Sequence, residues 1–504
     1  MSNKNQIGLA SLVLMVFTTV FGFANSPVAF YQMGYASIFW YVVAAIFFFL
    51  PAALMIAEYG SAMPNAEGGI FSWLEFSVSE RFAFVGTFIW LANWLIWMVS
   101  TSSKIWIPMS SLIFGSDKTT TWAFFGLTAT QFVGILAILW MVVCTFTASH
   151  GVDKIQKIGS LGGTMVSIMS ALFVVIAIVI WIAQKGMVLE PIHGVKSFFI
   201  SSNPNFQSPI ALLSFVVYAI FAYGGIESMG TLTDSMKDPA KTFPKGMVIS
   251  MIVITVLYSF MIFFWGVCTN WQQVLSGKDV TLGNITYVMM NNAGVVMGDA
   301  LGLSHGTALI IGNVLTRFAG LGMFCAYVGS FFVMVYSPLK ALVLGSDKRL
   351  WPERMTKLNK HGMPSFAMWI QFWVIAILIF AISFGGSGAQ KFYQILTNMA
   401  NVASSAPYLF IVGAFPFFKK RQGIDRPFVF FKSQASANAI SIFVLCVVAF
   451  GIIFTCLNPI LTGDYQTAFW TIFGPVFFGL VALFFYNHQA KKHHVSNTNE
   501  INKD

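Results

Sequence analysis

The chain has 504 residues, 57 % of them apolar and only 9 % charged, with a mean hydropathy of +0.76 and a formal net charge of +10. So few charges over this length exclude a soluble globular protein and define a polytopic membrane protein. The basic excess does not point to nucleic acid, because no basic stripe sits on a soluble domain.

A spanning helix needs roughly 20 mostly apolar residues. Twelve stretches qualify, near 8–33, 38–58, 83–103, 122–147, 158–184, 209–231, 246–269, 307–336, 366–385, 392–417, 436–457 and 466–487. The first is too long for a cleavable signal peptide and lacks a small-residue cleavage site. With both termini cytoplasmic, only Lys104, Lys118, Lys185, Lys196, Lys278 and Lys391 fall on the outer side, and Arg317 lies mid-helix. The other Lys and Arg face inward, as the positive-inside rule requires.

The first span carries "VFGFANSPVAF". Pro27 lacks an N–H and clashes with the carbonyl of Phe23, which disfavours a continuous helix. Ser26 followed by Pro27 reads as an N-cap and first helical position, so a new helix starts mid-span. Irregular backbone at membrane depth survives only against a polar cavity or inside protein. The new helix offers N–H groups to an anion, and the one before it offers carbonyls to a cation. An amino acid carries both charges on one carbon. The competing reading is a proline kink repaired by Asn25 and Ser26.

In the third span, Trp90, Trp94 and Trp97 form an aromatic stripe, more a packing than a binding signal. Asn93 beside them is a lone amide that needs a hydrogen-bond partner. The fifth span, "IGSLGGTMVSIMS", holds no lysine. The sixth repeats the oddity of the first: Tyr223-Gly224-Gly225-Ile226-Glu227 places two glycines and an acid at its centre. Each glycine costs a helix about 1 kcal/mol relative to alanine. The two interruptions lie five spans apart, and an odd offset gives the halves opposite topology, as in inverted-repeat transporters. The outer segment 270–306 carries a short helix around "NITYVMMNNAG".

Two ionisable groups lie deep, Glu227 in the sixth span and Arg317 in the eighth, while Glu58 ends the second. Each needs a partner or water. Either Glu227 is bonded to nearby backbone or to Arg317 and does nothing else, or Glu227 takes up a proton and Arg317 binds a carboxylate through its planar fork. The five cysteines form no CxxC motif and read as small packing residues. The tail after Tyr486 is polar. Its three histidines, His488, His493 and His494, are the side-chain type that switches charge around physiological pH, which leaves open a pH-sensitive plug or a solvated tail.

At this point the residues carry a family resemblance. "AEYGSAMPNAEGGIFSW" (57–73) resembles the Glu-x-x-x-x-x-Pro-x-x-Gly-Gly pattern of the amino acid–polyamine–organocation superfamily, with Glu58, Pro64, Gly68 and Gly69 matching. "FAYGGIES…MKDPAKTFPKG" (221–246) resembles its helix 6 signature. "LWPERMTKLNKHGMPSFAMWIQ" (350–371) is similar to a loop of the glutamate/γ-aminobutyrate antiporter branch. The resemblance implies an all-α membrane fold of the leucine-transporter type. Its twelve helices comprise two inverted repeats of five (1–184 and 185–417), two further helices (418–487) and a cytoplasmic tail (488–504), with helices 1 and 6 discontinuous. It implies an amino acid substrate held at those breaks, by Gly22, Phe23, Ala24, Asn25 and Ser26 on one side and Tyr223, Gly224, Gly225 and Glu227 on the other. Phe221 matches an aromatic gate, and Asn93, Trp94 and Arg317 come from the helices that complete the pocket. Where the family's helix 1 reads Gly-x-Gly, this chain reads Gly22-Phe23-Ala24-Asn25.

The expected function is secondary transport of amino acids or related amines across a bacterial inner membrane, by exchange or with proton coupling. A channel or a sodium-coupled permease for neutral amino acids is the alternative. An enzyme is disfavoured by the absence of an HExxH motif or paired intramembrane aspartates, and no nucleotide-binding loop appears. No cofactor and no nucleic acid partner are expected, and the oligomeric state stays open.

Overall fold

The computed structural model describes residues 8–63, 69–227, 229, 238–344 and 346–493. Pro64 and Gly68 of the first family motif, and His494 with the rest of the tail, lie outside them. Among the described residues every regular element is helical. Ten helices are long and apolar enough to cross a membrane: Ala36–Ala62, Glu80–Phe114, Ala129–Ala148, Gly162–Ala183, Lys241–Cys268, His305–Lys340, Ser365–Ser383, Ala389–Lys420, Gln434–Leu461 and Tyr465–Gln489. The other two expected spans are the two that are interrupted.

The first of these is split into α1 (Leu9–Val20) and α2 (Asn25–Met33). The new helix starts at Asn25, earlier than the Ser26–Pro27 reading, and Ser26 is not its N-cap. The Ser26 hydroxyl donates instead to the Phe23 carbonyl at 3.2 Å, the acceptor that Pro27, four residues on, cannot serve. Next come α3 (Ala36–Ala44) and α4 (Leu50–Ala62), joined without a break by a wide π turn at Ala45–Phe49. Pro51 stands just after this turn, and a wide turn is one way for a helix to absorb a residue with no N–H.

A short α5 (Ile70–Ser77) leads to α6 (Glu80–Lys104), which runs with one turn residue into α7 (Trp106–Phe114). The third span therefore continues past residue 103, and Lys104 lies inside it instead of in outer water. α8 (Ala129–Ala148) and α9 (Val152–Ala183) follow. Because α9 starts at 152 and not 158, Lys154 and Lys157 fall within the helix. α10 (Pro209–Ala222) stops at the Gly-Gly pair, and α11 (Pro239–Cys268) resumes the chain.

The outer segment holds α12 (Ile285–Ala300), longer than expected and packed into the fold. A Cβ on Gly294 would stand 2.6 Å from the Gly312 Cα, so two helices meet there backbone to backbone. The partner helix is α13 (His305–Val343), which also packs on α7 and α9. A short α14 (Glu353–Thr356) precedes α15 (Ser365–Ser383), α16 (Ala389–Lys420), α17 (Gln434–Leu461) and α18 (Tyr465–His493). α18 runs past 487, so the first part of the expected tail is helical.

α16 sits at the centre, packed on α6, α10, α17 and α18. The outward surfaces of α17 and α18 expose Phe443, Ile453, Phe469 and Phe484. Faces this apolar are stable against lipid and not against water.

Candidate functional site

The interruptions in α1–α2 and after α10 meet. Tyr258, from the middle of α11, is fully buried between them. Its hydroxyl accepts the Gly22 amide and the Asn25 side-chain amide, both at 3.0 Å, and lies 3.3 Å from the Ala222 carbonyl and 3.4 Å from that of Val20. One phenol thus serves a donor exposed by the first break and the carbonyl ends of both preceding helices. Asn25 contributes again through its carbonyl, which accepts the Tyr218 hydroxyl at 3.0 Å and the Tyr41 hydroxyl at 3.4 Å. The carbonyls of Val20 and Ala222, at helix ends, have no intrahelical partner, and at this depth side chains must supply one.

After α10 the chain turns through Tyr223, Gly224 and Gly225. Gly225 has φ +105, a conformation that excludes most L side chains. The turn carries Glu227 inward to 3 % exposure. Its carboxylate accepts the Trp90 indole N–H at 3.1 Å, the Tyr408 hydroxyl at 2.6 Å and the Gly225 amide at 3.0 Å. Helices α6 and α16 are thereby tied to the second break through one acid.

These elements enclose a cavity of about 280 Å³. Of the sequence-predicted residues, Gly22, Phe23, Ala24, Asn25, Asn93, Trp94, Phe221, Gly224, Gly225 and Glu227 line it. Asn93 finds its partner in Ser404, whose hydroxyl donates to it at 2.5 Å. Ser26 and Tyr223 do not line it. Ser26 is buried behind the break, accepting the Trp265 indole at 3.0 Å, and the Tyr223 hydroxyl donates to the Tyr41 carbonyl at 3.1 Å. Both hold the breaks from outside.

Arg317 is also elsewhere, and it makes no ion pair with Glu227. Its guanidinium donates to Asn313 Oδ1 at 2.7 Å and to the carbonyls of Leu112 and Ile113 at 2.8 and 2.5 Å. Those carbonyls end α7, just before Gly115 in the left-handed C-cap. A cation there satisfies orphan acceptors and the negative end of the helix dipole. Glu58 lies apart from the cavity as well, fully buried against Lys419 at 2.8 Å.

The cavity includes a charge that span counting missed. Lys104 lines it and donates to Thr397 Oγ1 at 2.9 Å. Two further lining residues carry buried polar atoms with no protein partner, the Trp94 indole Nε1 and the Asn401 Oδ1. One is a donor and the other an acceptor. The only sequence signal for Asn401 was its place in the polar series Gln394, Asn398, Asn401 along a spanning helix.

A protein whose described elements are all helical, with interrupted helices around an internal cavity that polar and apolar side chains share, belongs to the class of membrane carriers. Within that class the chain is a member of the amino acid permease family, whose sequence profile matches residues 7–483. It is 49 % identical over 488 residues to the inner membrane transporter YjeM of Escherichia coli strain K12, covering 97 % of each chain. It is 24 % identical over 414 residues to the aspartate/glutamate permease AcaP of Lactococcus lactis subsp. cremoris, covering 80 % of this chain and 78 % of that one. It is 24 % identical over 395 residues to a glutamate/γ-aminobutyrate antiporter of Lactococcus lactis subsp. lactis, covering 78 % and 72 %.

Proposed function

We propose that this protein is a secondary carrier that moves an amino acid or related amine across the bacterial inner membrane by alternating access, and that it is not an enzyme. The observation that supports this most is the convergence of two helix interruptions on one cavity, pinned by Tyr258 and Glu227. Within the cavity Asn401 Oδ1 is an acceptor suited to an ammonium and Trp94 Nε1 a donor suited to a carboxylate, neither with a protein partner.

In this reading Gly22, Phe23, Ala24, Asn25, Asn93, Trp94, Gly224, Gly225 and Glu227 surround the substrate, Ser26 and Tyr223 support them, and Phe221 covers it as an aromatic gate. The architecture is twelve spans, with inverted repeats at 1–184 and 185–417, two more helices over 418–487, and both termini in the cytoplasm. Transport runs as exchange of the glutamate/γ-aminobutyrate type, the mode in the name of one distant relative, or with proton coupling.

The test is uptake into proteoliposomes containing purified protein and a preloaded amino acid pool. A carrier gives saturable uptake that requires the internal substrate or a proton gradient. Conductance that never saturates, with no exchange for any amino acid in a labelled panel, overturns the reading.

A further inference from the structure

We infer that Lys104 is the specificity-determining residue of this carrier and that it reads a second, side-chain carboxylate on the substrate. The inference rests on the carrier reading above and assigns its substrate class, amino acids with an acidic side chain.

Lys104 ends α6 and turns into the cavity. Among the described residues its one hydrogen bond goes to the neutral hydroxyl of Thr397, and it belongs to none of the ion pairs. An ammonium enclosed among helices is expensive without an anion. The other charge in the cavity, Glu227, is not that anion, since its two oxygens already accept from Trp90, Tyr408 and Gly225.

The two charges are also held at opposite ends of the cavity. Along α6, Trp90 beside Glu227 and Lys104 are separated by about 21 Å of helix axis. Along α16, Tyr408 beside Glu227 and Thr397 beside Lys104 are separated by about 16 Å. Two helices therefore give the same polarity, with acid at one end and base at the other.

The head group of an amino acid needs neither charge to be anchored, because Trp94 Nε1 offers a donor to its carboxylate and Asn401 Oδ1 an acceptor to its ammonium, both without a protein partner. Lys104 is left for a group the head does not carry. A carboxylate there forms a charge-assisted hydrogen bond and completes the ion pair that the protein alone lacks. A cationic side chain in the same place meets a fixed like charge and is rejected.

The test begins with the wild-type protein in proteoliposomes, where unlabelled glutamate, glutamine and ornithine compete for uptake. Glutamate is expected to compete best and ornithine worst. Lys104→Gln is expected to lower the ratio of kcat/KM for glutamate over glutamine by about tenfold or more, while Lys104→Arg keeps most of it. Ornithine outcompeting glutamate on the wild type, or glutamate and glutamine falling in parallel in Lys104→Gln, overturns the assignment. If neutral amino acids are carried with no preference for acids, only this inference fails. If no amino acid is carried at all, the carrier reading fails with it.

Discussion

The Tyr258 hydroxyl stands 3.0 Å from the Gly22 amide nitrogen, across 236 residues of chain. That contact, together with the Ala222 carbonyl 3.3 Å away, makes one side chain the meeting point of both interrupted helices. Tyr258→Phe keeps the ring and removes the shared oxygen. Two donors, Gly22 N and Asn25 Nδ2, then lose their acceptor, at about 1–3 kcal/mol each if water does not replace it. Exchange in proteoliposomes is expected to fall by at least tenfold while the purified variant stays folded with a lowered Tm. Wild-type exchange would show that the breaks hold without the hub.

Glu227→Gln retains the size of the acid but can accept through one oxygen only, where three donors now converge. One of those donors then faces an amide NH₂. The expected outcome is loss of most transport with a smaller effect on expression, measured as initial uptake per mole of reconstituted protein. Unchanged uptake would remove Glu227 from the working site.

Arg317→Gln is expected to act on stability and not on selectivity. The variant leaves the Leu112 and Ile113 carbonyls at the end of α7 without their guanidinium donor. Loss of a charged cap of this kind costs about 1–3 kcal/mol. Tm in detergent should drop, and the relative KM values for acidic and neutral substrates should keep their wild-type order. A selective loss of acidic substrates would instead place Arg317 in contact with them.

Lys419→Met tests the buried ion pair with Glu58, apart from the cavity. Glu58 is fully buried and accepts from Lys419 Nζ at 2.8 Å and from the Phe430 and Phe431 amides at 2.8 and 2.9 Å. Removing the cation strands a buried carboxylate, which costs about 3–5 kcal/mol. Replacing both, with Glu58→Leu added, is expected to recover part of the loss in yield and Tm, though the two backbone amides stay unserved. Additive losses in the double variant would mean the two residues act independently.

The membrane class, ten of the apolar stretches and the two interruptions were legible in the sequence alone, because each rests on local chemistry. A charge-poor window of twenty residues has few other homes, Pro27 removes an N–H wherever it stands, and Gly224-Gly225 weakens any helix.

Which charges face the cavity was decided by tertiary structure. Arg317 and Lys104 show why. Depth along a span can be estimated from hydropathy, so Arg317 read as central and Lys104 as external. The direction of a side chain around its helix and the point where a helix ends depend on neighbours far away in sequence. Packing of α13 against α7 brings the Arg317 guanidinium to the carbonyls of Leu112 and Ile113. The near-continuous run of α6 into α7, with α16 alongside, keeps Lys104 within the protein and against Thr397. Both outcomes follow from the same rule, that a partly buried cation goes to the acceptors that packing brings within reach, and no linear window of sequence contains the Leu112, Ile113 and Thr397 acceptors.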